Sequence, residues 1–203
     1  CAMRHHTMEQ NLEVFRTATE YLDRGVCAVD LAGDEASYPA SQFTDLFAEA
    51  RALGIPFTIH AGECHSTENV RTSIEMGAKR IGHGIAMKED PELMKLAAER
   101  DVGIEMCPCS NFQTKAVQEG EEYPLALFWE QGLLVTVNTD NRTVSQTSET
   151  RELKMALELM EASQKPVEDE KTFCRKLMEN SIRTAFLPEE EKERLRHILE
   201  KFS

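Results

Sequence analysis

His60 and Glu63 stand three residues apart at the end of an apolar, β-branched stretch, Phe57 to Ile59. Such a stretch reads as a short buried strand. Gly62, between the two polar residues, frees the backbone to turn sharply. A histidine and a carboxylate so placed can hold a zinc beside a proton shuttle. Two later strand ends carry further candidates: His83 in Arg80-Ile81-Gly82-His83-Gly84 and Asp140 in Asn138-Thr139-Asp140-Asn141. His60 can ligate zinc as neutral imidazole and Asp140 as carboxylate. Zinc lowers the pKa of a bound water towards ~7. Glu63 can then donate a proton to a substrate, and His83 can hold or deprotonate the attacking water. Each residue also has a plainer reading. His60 can be a hydrogen-bonded strand-end residue, His83 can satisfy a tight turn between glycines, and Asp140-Asn141 can cap the next helix. Their recurrence at successive strand ends favours one shared site.

The elements that must position these residues alternate along the chain. Helical pattern covers Met8 to Arg24, and strand pattern covers Val26 to Leu31. A helix runs from Ser41 to Leu53, and a strand from Ile55 to Ile59. A helix begins at Thr67 and stops at Gly77, followed by the short strand at Arg80. Asp90-Pro91 supplies a helix cap and first helical position, with the helix reaching Arg100. Val102 to Met106 is a strand. A loop with Ser110-Asn111 then precedes a short helix from Pro124, and Leu133 to Val137 is a strand. The remainder is helical: one helix from Thr147-Ser148-Glu149, one from Val167 to Phe186 and one from Pro188 to Phe202. Cys1-Ala2-Met3-Arg4 reads as a strand already in progress, so residue 1 is not expected to be a natural start. Strands alternating with helices imply parallel βα units. The short strands look almost wholly apolar and buried on both faces. Gly33, His60, Glu63, His83 and Asp140 all fall at C-terminal strand ends, the rule for a β/α barrel. No Gly-rich phosphate loop follows any strand, which lowers the nucleotide-fold reading.

Composition narrows the partners. At 203 residues, 41% of them hydrophobic, the chain is one domain or part of a larger one. A net charge of −13 argues against binding nucleic acid or an anionic membrane. No apolar run approaches the ~18 residues of a membrane span. The residues present carry no secretory leader pattern, and the expected location is the cytoplasm. The six cysteines are scattered and read as reduced thiols; Cys107-Pro108-Cys109 lacks a second ligand pair nearby.

Four ordered motifs now carry a resemblance: Leu31-Ala32-Gly33-Asp34-Glu35, His60-Ala61-Gly62-Glu63, Arg80-Ile81-Gly82-His83-Gly84 and Asn138-Thr139-Asp140-Asn141. The chain resembles the adenosine deaminase family, a zinc-dependent branch of the amidohydrolase barrels. The resemblance implies one Zn2+ per site. It implies that His60 and Asp140 are zinc ligands, that Glu63 protonates purine N1, and that His83 orients the hydroxide. It further implies that the Gly33 backbone N–H meets purine N3. The partner so implied is a small-molecule purine nucleoside, with adenosine, and 2'-deoxyadenosine, converted to inosine and ammonia. Asn141 stands where many members have a second aspartate, facing purine N7, an acceptor. An aspartate there must be protonated to donate, whereas an asparagine amide donates at any pH. The change resembles a bacterial subgroup with Asn-Thr-Asp-Asn-Arg. No lysine stands on the strand ending at Gly33, which favours a single metal. The cysteine-ligated base deaminases use a different pattern, absent here.

The family's first strand carries a His-x-His pair that completes the zinc site, and this chain has none. His5-His6 is no substitute by pattern, since adjacent strand residues point to opposite faces. By the family's plan, the first two strands and most of the third lie upstream of Cys1. The expected fold is therefore α/β: the C-terminal five-eighths of a TIM-type (β/α)8 barrel plus C-terminal helices, over residues 1–203. An N-terminal fragment completing the barrel is the expected partner; the alternative is a cleaved or incomplete product. An opened barrel exposes an edge and its interior, expected here to be apolar, so the chain alone should aggregate or fold loosely. The competing functions are a non-catalytic barrel fragment and a deaminase of a related purine such as adenine.

Overall fold

The computed structural model describes residues 1–201, apart from the side chain of Asp23. The last residue expected in the final helix, Phe202, lies outside them. Six strands form one parallel sheet in sequential order: β1 (Ala2–Met3), β2 (Val29–Ala32), β3 (Phe57–Ala61), β4 (Arg80–His83), β5 (Gly103–Met106) and β6 (Leu134–Val137). Helical crossovers join them: α1 (Met8–Glu20), α2 (Thr44–Ala52), α3 (Thr67–Glu75), α4 (Pro91–Glu99), then α5 (Pro108–Gln113) and α6 (Leu125–Glu130). After β6 come α7 (Arg142–Ser145), α8 (Glu149–Ala162), α9 (Glu170–Thr184) and α10 (Glu189–Glu200). This is an arc of a β/α barrel followed by helices, as the strand alternation predicts. Among the described residues no helix is long and apolar enough to cross a membrane.

Local chemistry starts the helices. Thr7 and Gln10 form a capping box at α1. Ser66, Asp90 and Ser148 accept from the third backbone N–H of α3, α4 and α8. One face of the sheet is apolar and packed under the helices, with Leu31, Ile59, Ile81, Ile104 and Val135 fully buried. Phe15, Phe47 and Phe57 continue that core, with ring centroids 5.6 and 4.6 Å apart in turn.

Three expectations need correction. The strand expected from Val26 starts at Val29, because the Val26 N–H still bonds Tyr21 O while the chain leaves its helix through Gly25 at φ +108°. The loop expected around Ser110-Asn111 is α5: Pro108 occupies its first turn and Asn111 N–H returns to Cys107 O at 2.8 Å. The strands are not apolar on both faces. The inner face carries Asp30, Thr58, His60, Arg80, Glu105 and Thr136, paired across strands: Thr58 Oγ1 donates to Glu105 Oε2 at 3.2 Å, and Arg80 Nε to Glu105 Oε1 at 2.5 Å. The barrel interior expected to be apolar is therefore polar.

Candidate active site

β3 runs two residues past its expected end. His60 and Ala61 pair with Gly82 and His83 of β4, so the chain turns only at Gly62, at φ +80°. The pairing puts His60 on the inner face beside His83, ring centroids 5.0 Å apart. A Cβ on Gly82 would sit 3.2 Å from His60 Cα and Cγ, so the glycine makes room for that ring. His60 Nδ1 lies 3.1 Å from Asp30 Oδ1 on β2. Burial is the largest single influence and works against a charged His60 ring, but the bond to Asp30 and the charges of Asp30, Glu105 and Asp140 together outweigh it, raising the pKa to about 9.

His83 is 2% exposed and holds φ +67°, a left-handed conformation uncommon outside glycine. Burial pushes its pKa down, with Glu63 opposing. Its Nε2 lies 3.7 Å from Glu63 Oε2, and its Nδ1 is 2.9 Å from Asn111 Nδ2. Glu63 Oε1 accepts from Thr114 Oγ1 at 2.8 Å. Asp140 also has positive φ, +51°, and its Oδ2 accepts from Ser110 Oγ at 2.7 Å.

A cavity of about 350 Å³ at this end of the strands is lined by His60, His83, Glu105, Cys107, Asp140 and Glu149, among others. A larger one of about 740 Å³ opens at the opposite end, around Phe57 and Phe186, away from these side chains. So three of the sequence-derived candidates share one cavity, and Glu63 reaches it through His83. Gly33 and Asn141 do not line it. Gly33 sits at the end of β2, at φ +116°, beside Arg4. Asn141 Oδ1 caps α7, accepting from the N–H groups of Thr143 and Val144, as the plainer reading had it. That leaves its Nδ2 as a donor.

Sequence reasoning missed several supports. Glu35 is 4% exposed. Its Oε1 accepts from Gly62 N–H at 2.6 Å and Asn69 Nδ2 at 3.0 Å; its Oε2 accepts from Glu63 N–H at 3.0 Å and Cys64 N–H at 3.2 Å. One carboxylate thus ties down the turn that carries Glu63. Arg4, 1% exposed, donates to Tyr38 O and, at 2.7 Å, to His60 O. Cys107 lines the cavity while Cys109 Sγ turns to Met155 Sδ at 3.7 Å, so the two thiols do not converge.

The donor set fits a zinc ion in kind. With Nδ1 held by Asp30, His60 offers Nε2, the arrangement in which an outer carboxylate orients a ligating imidazole. Asp140 offers a carboxylate oxygen at the same cavity. The carboxylates that hold a proton on His60 equally favour a metal cation there. Among the described residues, however, no group of three or more His, Cys, Asp or Glu is arranged to hold a metal. Two donors supply half of a four-coordinate site.

Comparison with known proteins agrees with this geometry. A family model described as adenosine deaminase matches residues 1–202. An adenosine deaminase of Enterococcus faecalis is 43% identical over 195 residues, covering 96% of this chain and 56% of that protein. The chain therefore spans little more than half the length of the curated relatives it matches. An adenine deaminase structure from Arthrobacter aurescens superposes with a TM-score of 0.84 at 24% identity, covering 98% of this chain and 59% of the other. An amidohydrolase structure from Burkhoderia ambifaria with bound zinc gives 0.81 at 22% identity, covering 98% and 54%. At those identities the structures carry the fold alone, a β/α barrel of which this chain forms the arc. The family match, the 43% identity and the motif order together establish that the chain belongs to the adenosine deaminase family.

Proposed function

We propose that this chain forms the larger part of a zinc-dependent deaminase that hydrolyses adenosine, and 2'-deoxyadenosine, to inosine and ammonia. The observation that carries the reading is the convergence of His60, His83 and Asp140 on one cavity, with Glu63 Oε2 3.7 Å from His83. Residues 1–203 correspond in this reading to the end of the third barrel strand through the eighth. The remaining zinc donors come from the N-terminal strands, which the longer relatives have the length to contain. The substrate is a small purine nucleoside and the setting the cytoplasm.

His60 and Asp140 would hold the zinc. When bound, the metal supplies a water acidified towards neutrality. His83 and Asp140 hold the attacking oxygen against C6 of the purine. Glu63, fixed by Glu35 behind it and Thr114 beside it, gives a proton to N1 as C6 is attacked. Asn141 Nδ2 donates to N7 and the Gly33 N–H to N3, which orients the base. One proton of the water replaces the one Glu63 gives to N1, and the other passes from the new C6 hydroxyl to the amine, which departs as ammonia and leaves the C6 carbonyl of inosine.

The test combines zinc stoichiometry and intact mass with adenosine turnover, measured with and without the N-terminal segment of a relative. Zinc bound and turnover restored with that segment support the reading. Glu63→Gln should keep zinc and lower turnover about 10²–10⁴-fold. Unchanged turnover removes Glu63 from its role. No zinc and no turnover in the completed protein leaves a non-catalytic barrel fragment.

A further inference from the structure

Behind His83, on the side away from Glu63, three buried polar groups form a chain that the proposed mechanism does not use. Tyr123 is 2% exposed, Asn111 is fully buried and His83 is 2% exposed. Tyr123 Oη donates to Asn111 Oδ1 at 2.9 Å, and Asn111 Nδ2 lies 2.9 Å from His83 Nδ1. We propose that Tyr123 and Asn111 fix the tautomer of His83, keeping Nδ1 a bare acceptor and the ring's proton on Nε2, the nitrogen that faces Glu63.

The chain reads in one direction. Burial pushes the Tyr123 phenol well above its ordinary pKa, so the hydroxyl keeps its proton. The Cys107 backbone acts on the phenol in the sense of a donor, pulling its pKa down against burial, and so supplies no acceptor. The hydroxyl must therefore give its hydrogen to Asn111 Oδ1. A buried hydroxyl without an acceptor costs about 1–3 kcal/mol. That bond settles which way the Asn111 amide lies: oxygen to Tyr123, nitrogen to His83. An amide nitrogen carries only donors, so His83 Nδ1 must present its lone pair. A neutral imidazole has one N–H, which then sits on Nε2. A charged ring would set N–H against N–H across 2.9 Å, so the same chain opposes the imidazolium.

The consequence for chemistry rests on the deaminase reading above. A neutral His83 with hydrogen on Nε2 gives a hydrogen bond to whatever oxygen lies before it. Of the two roles open to this residue, holding the attacking water and deprotonating it, the tautomer provides the first. Asn111 and Tyr123 are positioning residues in this arrangement and touch no substrate.

The test is a long-range proton–nitrogen NMR spectrum of the 15N-labelled, metal-free 203-residue chain at one neutral pH, with His83→Asn used to assign the ring. The expected pattern is a protonated Nε2 and an unprotonated Nδ1. Asn111→Asp replaces the donor with an acceptor and should move the proton to Nδ1. Tyr123→Phe keeps the volume, frees the amide to rotate and should populate both forms. A merely structural role for either residue would lower stability and leave the nitrogen pattern unchanged. A wild-type ring protonated on Nδ1 overturns the proposal. So does an unaltered pattern in a folded Asn111→Asp or, where that variant does not fold, in Tyr123→Phe. The spectrum needs neither metal nor substrate. An Nε2–H ring in a completed protein without turnover would sink the deaminase reading and leave the tautomer standing.

Discussion

Glu35→Gln probes the turn that carries Glu63 with almost no change in volume. The native carboxylate uses both oxygens, each accepting two N–H groups, with Glu35 itself 4% exposed. An amide offers one acceptor oxygen, so whichever way it lies its NH2 faces two N–H donors. Two hydrogen bonds to a charged acceptor are lost, and such bonds contribute about 1.5–3 kcal/mol each. Part of that returns, because Cys64 is exposed and Glu63 half-buried, so their N–H groups can reach water when the turn relaxes. The net cost should be about 2–3 kcal/mol, equivalent to a fall in Tm of roughly 4–12 °C for a chain of this size. Urea and thermal unfolding measure the first number. Amide exchange at Gly62, Glu63 and Cys64 locates the damage, which should be confined to that turn. A stability change within about 0.5 kcal/mol, with the three amides as protected as before, would refute the claim that Glu35 holds the turn.

Gly62→Ala puts a Cβ 2.6 Å from Val70 Cγ2 at φ +80°; left-handed strain and overpacking together should cost about 2–4 kcal/mol, and a fully stable variant in urea unfolding would contradict the packing. Gly82→Ala crowds the His60 ring, with Cβ 3.3 Å from Nδ1. It should weaken zinc binding about ten-fold, as loss of an outer-shell partner does, in competition with a chelator; unchanged affinity would remove His60 from the ligand set. At Asp90, the Leu93 N–H and then Arg71 hold the carboxyl below its ordinary range. A lowered carboxyl stabilises above its unfolded pKa and loses that contribution as pH falls through its folded one. Asp90→Asn should therefore flatten the acid limb of urea stability below pH ~4, and an identical limb would show the linkage lies elsewhere.

The candidate site is legible where chemistry and secondary structure coincide. Polar residues at the ends of apolar parallel strands stand out, which is why His60, Glu63, His83 and Asp140 could be picked from a linear text. The structure brings His60, His83 and Asp140 to one cavity. What supports them was less legible, because it acts over long sequence separations. Asp30 sits inside a strand that reads as apolar, and only its register beside Thr58 brings it to His60. Glu35 lay within a recognised motif, but its partners are 27 to 34 residues away. Ser110-Asn111 reads as loop in the linear text, although Pro108 after Cys107 is an available signal for a helix start.

The two faces of the sheet separate stability from chemistry. Leu31, Ile59, Ile81, Ile104 and Val135 point under the helices and are fully buried. The residues alternating with them, Asp30, Thr58, His60, Arg80 and Glu105, point inward and bond one another across strands. A paired charge inside a protein recovers its desolvation cost only with good geometry, and apolar residues of the same volume are often as stable or more so. An apolar interior would therefore serve the fold equally well. The polar interior is explained by what stands at its upper end: the carboxylates Asp30, Glu105 and Asp140 all act on His60, favouring positive charge on it or beside it. Arg80 on that face is already paired with Glu105, which leaves His60, a candidate metal ligand, as the residue at the upper end for which such a field is an advantage.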